Sequence, residues 1–186
     1  MAGNVVVSAG PLGGSGGRRG EGFRKVRLAS WNIGSLTGKS VELVKSLHRR
    51  MINIACVQET KWVGAKAGEV DGYKLWYSGY LKVRNRVGIL VEKELVDAVV
   101  EVRWKSDRIM TIKVSVGSVV INVVSVYAPQ IGLPDDIKRL FGRSWIWSFR
   151  RYLVARIFSS DETLMAILVL TQAGMIRSTG VSVLGR

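Results

Sequence analysis

The stretch that decides the fold is INIACVQETKW, residues 52–62. It carries no charge from Ile52 to Val57 and then places Gln58 and Glu59 directly after the apolar run. A short, continuous apolar run is typical of a β-strand that is covered on both faces. The sequence therefore predicts a buried strand that ends on a carboxylate, and a carboxylate in that position needs an explanation.

Two further elements precede this strand. The segment VRLASWNI, residues 26–33, alternates between two faces with a period of two, which favours a β-strand. In the segment SVELVKSLHRR, residues 40–50, a predicted helical stripe begins after Ser40, the expected N-cap, and consists of Val41, Val44, Leu47 and His48. Strand, helix and strand in this order predict a right-handed crossover between neighbouring strands.

Beyond Gly64 the sequence changes to short strand-like segments that are rich in Val, Ile, Tyr and Trp. These segments are YKLWYSG, RVGILVE, LVDAVVEVRW, RIMTIKVSV and SVVINVVSVYA, and polar or glycine-containing turns separate them. Together with the crossover unit they predict an α+β or layered α/β fold with mixed, largely antiparallel sheets.

Composition limits the class of protein. The chain has 186 residues, of which 47% are hydrophobic, so it is long enough for one domain with its own core. A formal net charge of +14 predicts a polyanionic partner. Nucleic acid is the commonest such partner, an anionic membrane surface is the rival, and a basic surface that keeps the protein soluble is the plainer alternative. Cys56 is the only cysteine, so neither a disulfide nor a thiolate metal site can form within one chain.

Neither end of the chain predicts a membrane segment. Residues 1–23 are rich in Gly, and we expect them to form a flexible leader, since their basic residues follow the short apolar piece. The run LMAILVL, residues 164–170, is far shorter than the roughly 20 residues that span a bilayer. We therefore expect no membrane partner.

Three polar residues stand at the ends of predicted strands. Asn32 follows LASW, Glu59 follows IACVQ, and Tyr127 follows INVVSV. If the strands lie side by side, their ends converge on one edge of the fold, where a carboxylate beside an amide oxygen suits Mg²⁺. A tyrosine hydroxyl there could donate to a phosphate oxygen or assist proton transfer. The alternative is that all three are ordinary turn residues.

Two other features of the sequence, a single histidine and a glycine-containing loop, are weaker candidates for a functional site. His48 is the only histidine and precedes Arg49 and Arg50 near the end of a predicted helix, so we expect a surface role rather than catalysis. The segment GSLTGKS, residues 34–40, is one residue short of the spacing of a phosphate-binding loop. We therefore predict neither a histidine-based site nor a nucleotide loop.

Four segments, in this order and spacing, carry a resemblance to a known family. They are LASWNIGSL, IACVQETKW, SDRIMTIKV and VVSVYAPQIG. Residues 24–141 resemble the N-terminal half of the endonuclease/exonuclease/phosphatase superfamily. Within it the chain is similar to the endonuclease domains of plant LINE-type retroelements and to craniofacial development protein 2-like proteins.

The resemblance implies a fold and a chemistry. In that superfamily the fold is a four-layer α/β sandwich, and the reaction is Mg²⁺-dependent cleavage of a phosphodiester. The resemblance implies that Asn32 helps to organise the site, that Glu59 binds the metal, and that Tyr127 contacts the scissile phosphate. It also implies a nucleic-acid partner, with DNA favoured over RNA, and a nuclear location if DNA is the substrate.

The later motifs of the family, G-D-x-N and S-D-H, do not occur in the sequence. Residues 142–186 offer an explanation. If the gene is read one nucleotide out of phase after Phe141, DETLMAIL reads back as RDFNGHI, which resembles the missing motif. We therefore expect residues 142–186 to be a divergent, frameshifted tail behind a truncated domain.

Three functional interpretations follow. The first is an active Mg²⁺-dependent endonuclease, which the missing motifs disfavour because hydrolysis would lack its general base. The second is a basic module that binds nucleic acid without cleaving it. The third is a retroelement remnant with no function.

Overall fold

The structure is a computed structural model that describes residues 3–8, 25–62, 66–77, 86–117, 119–129, 132–143, 146, 163–170 and 176–177. Its helices are α1 (Ser40–Arg49) and α2 (Lys93–Val96), and a third helix, α3, covers residues 135–143. Its strands are β1 (Gly3–Ser8), β2 (Lys25–Asn32), β3 (Ile54–Gln58), β4 (Lys66–Val70), β5 (Tyr73–Tyr77), β6 (Val87–Glu92), β7 (Val99–Trp104), β8 (Ile109–Val116), β9 (Val119–Tyr127), β10 (Thr163–Leu170) and β11 (Ile176–Arg177).

The strands form two mixed sheets. The first sheet has six strands in the order β1-β2-β3-β6-β5-β4, and the second has five in the order β11-β10-β9-β8-β7. Among the described strand pairs only β2–β3 and β9–β10 are parallel. The fold is therefore α/β with mixed and largely antiparallel sheets, as the sequence predicts.

The main core lies between the two sheets. Leu28, Ile54 and Ile89 of the first sheet share one buried cluster with Ile112 and Val123 of the second. Because side chains alternate along a strand, the neighbouring residues of β3 point to the opposite face of the first sheet. Both faces of β3 are thus covered, which explains its continuous apolar run.

A second core lies between the first sheet and α1. Leu43, Val44 and Leu47 of the helix pack against residues of the first sheet that include Ala55 and Val57. The buried stripe of α1 differs from the predicted one, because Val41 is exposed and Leu43 takes its place. The predicted N-cap is also wrong: Lys39 occupies that position without a side-chain hydrogen bond, and Ser40 is already helical.

The strand predictions hold for the central part of the chain and fail in detail elsewhere. The run LVDAVVEVRW, predicted as one strand, contains the end of α2 and only then β7. Strand β4 lies outside the segments that the sequence predicts as strands. Strand β1 lies in the segment predicted as a leader, and β10 and β11 lie in the predicted tail. In the part of the chain that the structure describes, no helix is long and apolar enough to cross a membrane.

Candidate functional site

Asn32 and Glu59 are brought together by the pairing of β2 with β3. The two strands run parallel, and Asn32 lies opposite Gln58, the residue before Glu59. The chain segments beyond the strands stay together as well, because Ile33 N–H donates to the carbonyl of Gln58 at 3.2 Å. The carboxyl ends of the two strands therefore carry these polar side chains to one edge of the sheet.

The backbone of Glu59 leaves the strand abruptly. Glu59 has a φ of 61°, in the left-handed region that residues other than glycine rarely adopt. Such a conformation costs roughly 1–2 kcal/mol and persists only where the surroundings hold it. Here the next residue, Thr60, is held by hydrogen bonds from its N–H to the carbonyl of Arg86 at 3.2 Å and from Leu36 N–H to its own carbonyl at 3.1 Å.

Tyr127 reaches the same carboxylate from the second sheet. It is the last residue of β9, and its hydroxyl donates a hydrogen bond to Oε1 of Glu59 at 2.7 Å. The amide Nδ2 of Asn32 donates to the same oxygen at 2.8 Å. The structure thus brings together all three residues that the sequence placed at strand ends.

The orientation of the Asn32 amide is fixed by a second contact. Its Oδ1 accepts a hydrogen bond from Gly34 N–H at 2.9 Å, so that Nδ2 is left to face Glu59. Two donors therefore converge on Oε1 of Glu59, whereas Oε2 accepts no hydrogen bond from the described residues. The carboxylate is held in place with one oxygen available to a ligand.

Several polar side chains close to this edge of the sheet are buried. Gln58 and Ser30 are fully buried, and Nε2 of Gln58 donates to Oγ of Ser30 at 3.1 Å. Within the described ranges, the buried Oε1 of Gln58 and Oγ1 of Thr60 have no hydrogen-bond partner. Because an unsatisfied buried polar atom costs free energy, the two residues that flank Glu59 in the chain carry polar atoms that are costly to bury.

Two buried arginines at this edge were not predicted. Arg86 and Arg108 are 1% and 6% exposed, although arginine is almost never buried to this degree unless it is paired. Burial lowers the pKa of the Arg108 guanidinium, while Asp107 and Tyr127 act in the opposite direction. The sequence feature that could have pointed to these arginines is their position, because each immediately precedes an apolar strand.

The donor set at Glu59 fits Mg²⁺. This ion needs only one or two protein carboxylates and keeps several waters, so the available Oε2 of Glu59 can serve as a single protein ligand. Among the described residues no group of three or more His, Cys, Asp or Glu side chains could hold a metal. A cation at this site would be held by the carboxylate of Glu59 and by water.

The remaining candidates lie away from this edge. His48 is exposed in the last turn of α1, where its Nε2 is 3.2 Å from the carbonyl oxygen of Asp71 and its ring contacts that of Tyr73. Cys56 is fully buried in the core between the sheets, as expected for a small core residue, and burial raises the pKa of its thiol to about 12.

Comparison with known proteins supports the resemblance. No protein-family model matches the chain. Over 104 residues, which are 55% of this chain and 18% of its relative, the chain is 28% identical to craniofacial development protein 2 of Bos taurus. The chain is thus a distant homologue of that protein over about half of its own length, and it matches less than a fifth of the relative.

Solved structures share the fold. The AP endonuclease of Archaeoglobus fulgidus is 25% identical with a TM-score of 0.51, and the match covers 75% of this chain and 55% of that one. A Neisseria 3′ phosphatase, NExo, solved with a product DNA hairpin, is 17% identical with a TM-score of 0.56, over 76% of this chain and 56% of that one. The chain spans about half the length of the structures it matches.

Proposed function

We propose that this chain, which has the fold of the endonuclease/exonuclease/phosphatase superfamily, holds one Mg²⁺ ion on Glu59 and binds a nucleic-acid phosphodiester there, with DNA the expected polymer. The observation that carries the proposal is the pair of hydrogen bonds from Asn32 and Tyr127 to one oxygen of Glu59, at 2.8 and 2.7 Å. They hold the carboxylate and leave its other oxygen for a cation. When bound, Mg²⁺ would supply the positive charge that attracts a phosphate oxygen.

Each of the three residues has a distinct role in this proposal. Glu59 is the metal ligand. Asn32 orients Glu59, since its amide is itself fixed by Gly34 N–H. Tyr127 donates the single proton of its hydroxyl to Glu59, so a hydrogen bond from Tyr127 to a phosphate oxygen would replace that contact.

The proposal stops at binding and does not extend to hydrolysis. Attack of water on a phosphodiester needs a general base. The sequence contains neither G-D-x-N nor S-D-H, the motifs that supply this base in the superfamily that the chain resembles. We therefore expect that the chain as written does not cleave DNA at a measurable rate.

The layer count of the fold is also part of the proposal. Helix α1, the first sheet and the second sheet form three successive layers, joined by two buried clusters. A four-layer sandwich would add a helical layer on the outer face of the second sheet. Partial coverage of the matched structures is compatible with this arrangement.

The test is the Mg²⁺ dependence of DNA binding, measured by fluorescence anisotropy with a labelled duplex in Mg²⁺ and in EDTA. We expect Mg²⁺ to tighten binding and the variant Glu59→Gln to lose that increment. Glu42→Gln is the matched control, because Glu42 is an exposed carboxylate in the first turn of α1. If Glu59→Gln keeps the full response to Mg²⁺, the proposed metal site is wrong.

A second candidate function is binding of nucleic acid without a metal. The observation that favours it is the net charge of +14, which supports phosphate contacts whose strength falls steeply with salt. This candidate predicts salt-sensitive binding that is equal in Mg²⁺ and in EDTA at constant ionic strength and is unchanged in Glu59→Gln. Absence of both binding signals would favour the third interpretation, a remnant without function.

A further inference from the structure

Arg108 contacts Tyr127 through both its main chain and its side chain. The carbonyl of Arg108 accepts a hydrogen bond from Tyr127 N–H at 2.9 Å. Its Nη1 donates to the carbonyl of Tyr127 at 3.4 Å. One residue thus binds both main-chain polar groups of Tyr127, at the point where β9 ends.

The guanidinium of Arg108 also lies over the tyrosine ring. Its central carbon is 5.6 Å from the centroid of the Tyr127 ring, within the distance of about 6 Å at which a cation is attracted to an aromatic face. Arg108 is 6% exposed and Tyr127 is 1% exposed, so this contact is shielded from water. The ring that carries the hydroxyl bonded to Glu59 is therefore held from its face as well as from its main chain.

No ion pair with another described residue accounts for the buried charge of Arg108. Among the described residues, no ion pair of the Arg108 guanidinium is found, whereas Arg103, Lys113 and Lys138 each pair with a carboxylate. The guanidinium contacts Tyr127 twice, through a hydrogen bond to its carbonyl and across the face of its ring. The described contacts of this buried guanidinium therefore restrict the position of Tyr127.

Arg86 holds the segment after Glu59 in a similar way, through its main chain and its side chain. The carbonyl of Arg86 accepts a hydrogen bond from Thr60 N–H, and its Nη1 donates to the carbonyl of Trp62. The residues next to the two arginines are themselves joined, because Val87 N–H donates to the carbonyl of Asp107 at 3.2 Å. The segments that carry Glu59 and Tyr127 are therefore connected by hydrogen bonds that run through the residues at Arg86 and Arg108.

We propose that Arg108 is a positioning residue that fixes the ring of Tyr127, and thereby holds the tyrosine hydroxyl against Oε1 of Glu59 so that Oε2 faces the cation. This inference rests on the proposed function for its effect on Mg²⁺, but not for its effect on Tyr127. Arg108 itself touches neither the metal nor the phosphate in this account. Arg108 affects the metal site through its contacts with Tyr127.

The first test is the state of the Tyr127 ring, which requires no metal. The aromatic ¹³C–¹H signals of Tyr127 are assigned by their loss in Tyr127→Phe, since the chain has only five tyrosines. We expect Arg108→Met to increase the ring-flip rate of Tyr127 several-fold, and Arg108→Lys to give a smaller increase because it keeps a cation. The control is Arg103→Met on β7, which removes an arginine paired with Glu101 on the same strand.

The second test is the affinity for Mg²⁺ alone, measured by calorimetry. Partners that orient a metal ligand typically affect metal affinity by about 10–100-fold, so we expect Arg108→Met to weaken binding roughly tenfold. We expect the double variant Arg108→Met/Tyr127→Phe to bind no more weakly than Tyr127→Phe, because both changes remove one and the same constraint. A merely structural role would give additive losses.

Each outcome decides between the alternatives. Unchanged ring flips in folded Arg108→Met, or additive losses in the double variant, would overturn the inference. If Arg108→Met does not fold, Arg108→Lys decides by the same two measurements. If the wild-type chain binds no Mg²⁺, the proposed function fails, and the ring-flip rates alone decide whether Arg108 positions Tyr127.

Discussion

Tyr127 and Glu59 are separated by 68 residues, and they are joined by a hydrogen bond of 2.7 Å from the phenol to Oε1. Tyr127 ends β9 of the second sheet, whereas Glu59 follows β3 of the first. This contact therefore connects the two sheets at the edge where the candidate site lies. It also means that the geometry of the site depends on how the sheets pack.

Removal of this hydrogen bond is expected to destabilise the chain. Tyr127→Phe should lower the free energy of unfolding by about 1.5 kcal/mol, the lower end for a hydrogen bond to a charged group, because the contact is only partly buried. Urea denaturation measures the change. In contrast, Glu59→Gln keeps an acceptor oxygen for both donors and should lose less than half as much. Equal losses in the two variants would argue against the hydrogen bond as the cause.

Asn32 is expected to matter for metal affinity rather than only for stability. Asn32→Ala removes the donor at 2.8 Å from Glu59 and should weaken Mg²⁺ binding by about 10-fold or more, as for other partners that orient a metal ligand. Asn53→Ala is a matched control, because Nδ2 of Asn53 donates to Glu92 at 2.6 Å just before β3 begins, at the opposite end of that strand. Calorimetry should show a change for Asn32 alone, and a similar loss in both variants would contradict this prediction.

Stability should fall above pH 9 because of Cys56. Burial raises the pKa of its thiol from 9.0 to about 12, so in that interval the unfolded chain ionises at Cys56 and the folded chain does not. The contribution is fully present below pH 9 and is lost as the pH rises towards 12, at about 1.4 kcal/mol per pH unit. Urea denaturation between pH 7 and pH 10.5 should show a shallower decline for Cys56→Ala. Identical slopes for the two proteins would show that Cys56 is not responsible.

Gly88 is expected to be sensitive to any side chain. A Cβ at this position in β6 would lie 3.0 Å from the carbonyl oxygen of Trp76 and 3.2 Å from Cγ2 of Val57. Overpacking of this kind costs about 1–3 kcal/mol, so Gly88→Ala should lower the free energy of unfolding by that amount. Gly68→Ala in β4 is the control, since nothing lies within 4 Å of a Cβ there. Thermal denaturation should distinguish the two, and equal melting temperatures would refute the steric explanation.

The local elements of the central chain follow from the sequence. The continuous apolar run before Glu59 predicts β3 because both of its faces are covered, one by the second sheet and one by α1. The short helix α2 and the strand β4 escape prediction for opposite reasons. Residues of α2 lie inside a Val-rich run that favours a strand, whereas β4, with the sequence KAGEV, is mostly exposed and has no apolar period.

The site was only partly predictable. The sequence places Asn32, Glu59 and Tyr127 at strand ends, and the structure brings them within hydrogen-bond distance, while their roles in binding a metal and a phosphate stay a proposal. Arg86 and Arg108 could not be selected from 28 basic residues, because burial of a charge is a property of the packed fold. Charge patterns in a sequence do not show which cations are buried.

The sequence by itself determined the main strands of the central chain, which of their faces are apolar, and that three of them end at polar residues. Only the tertiary structure decided that these ends meet, that Asn32 and Tyr127 donate to the same oxygen of Glu59, and that two arginines are buried beside them. The physical reason is the range of the forces involved. Strand periodicity and turn chemistry act over a few neighbouring residues, whereas the site requires the parallel register of β2 with β3 and the packing of one sheet on the other.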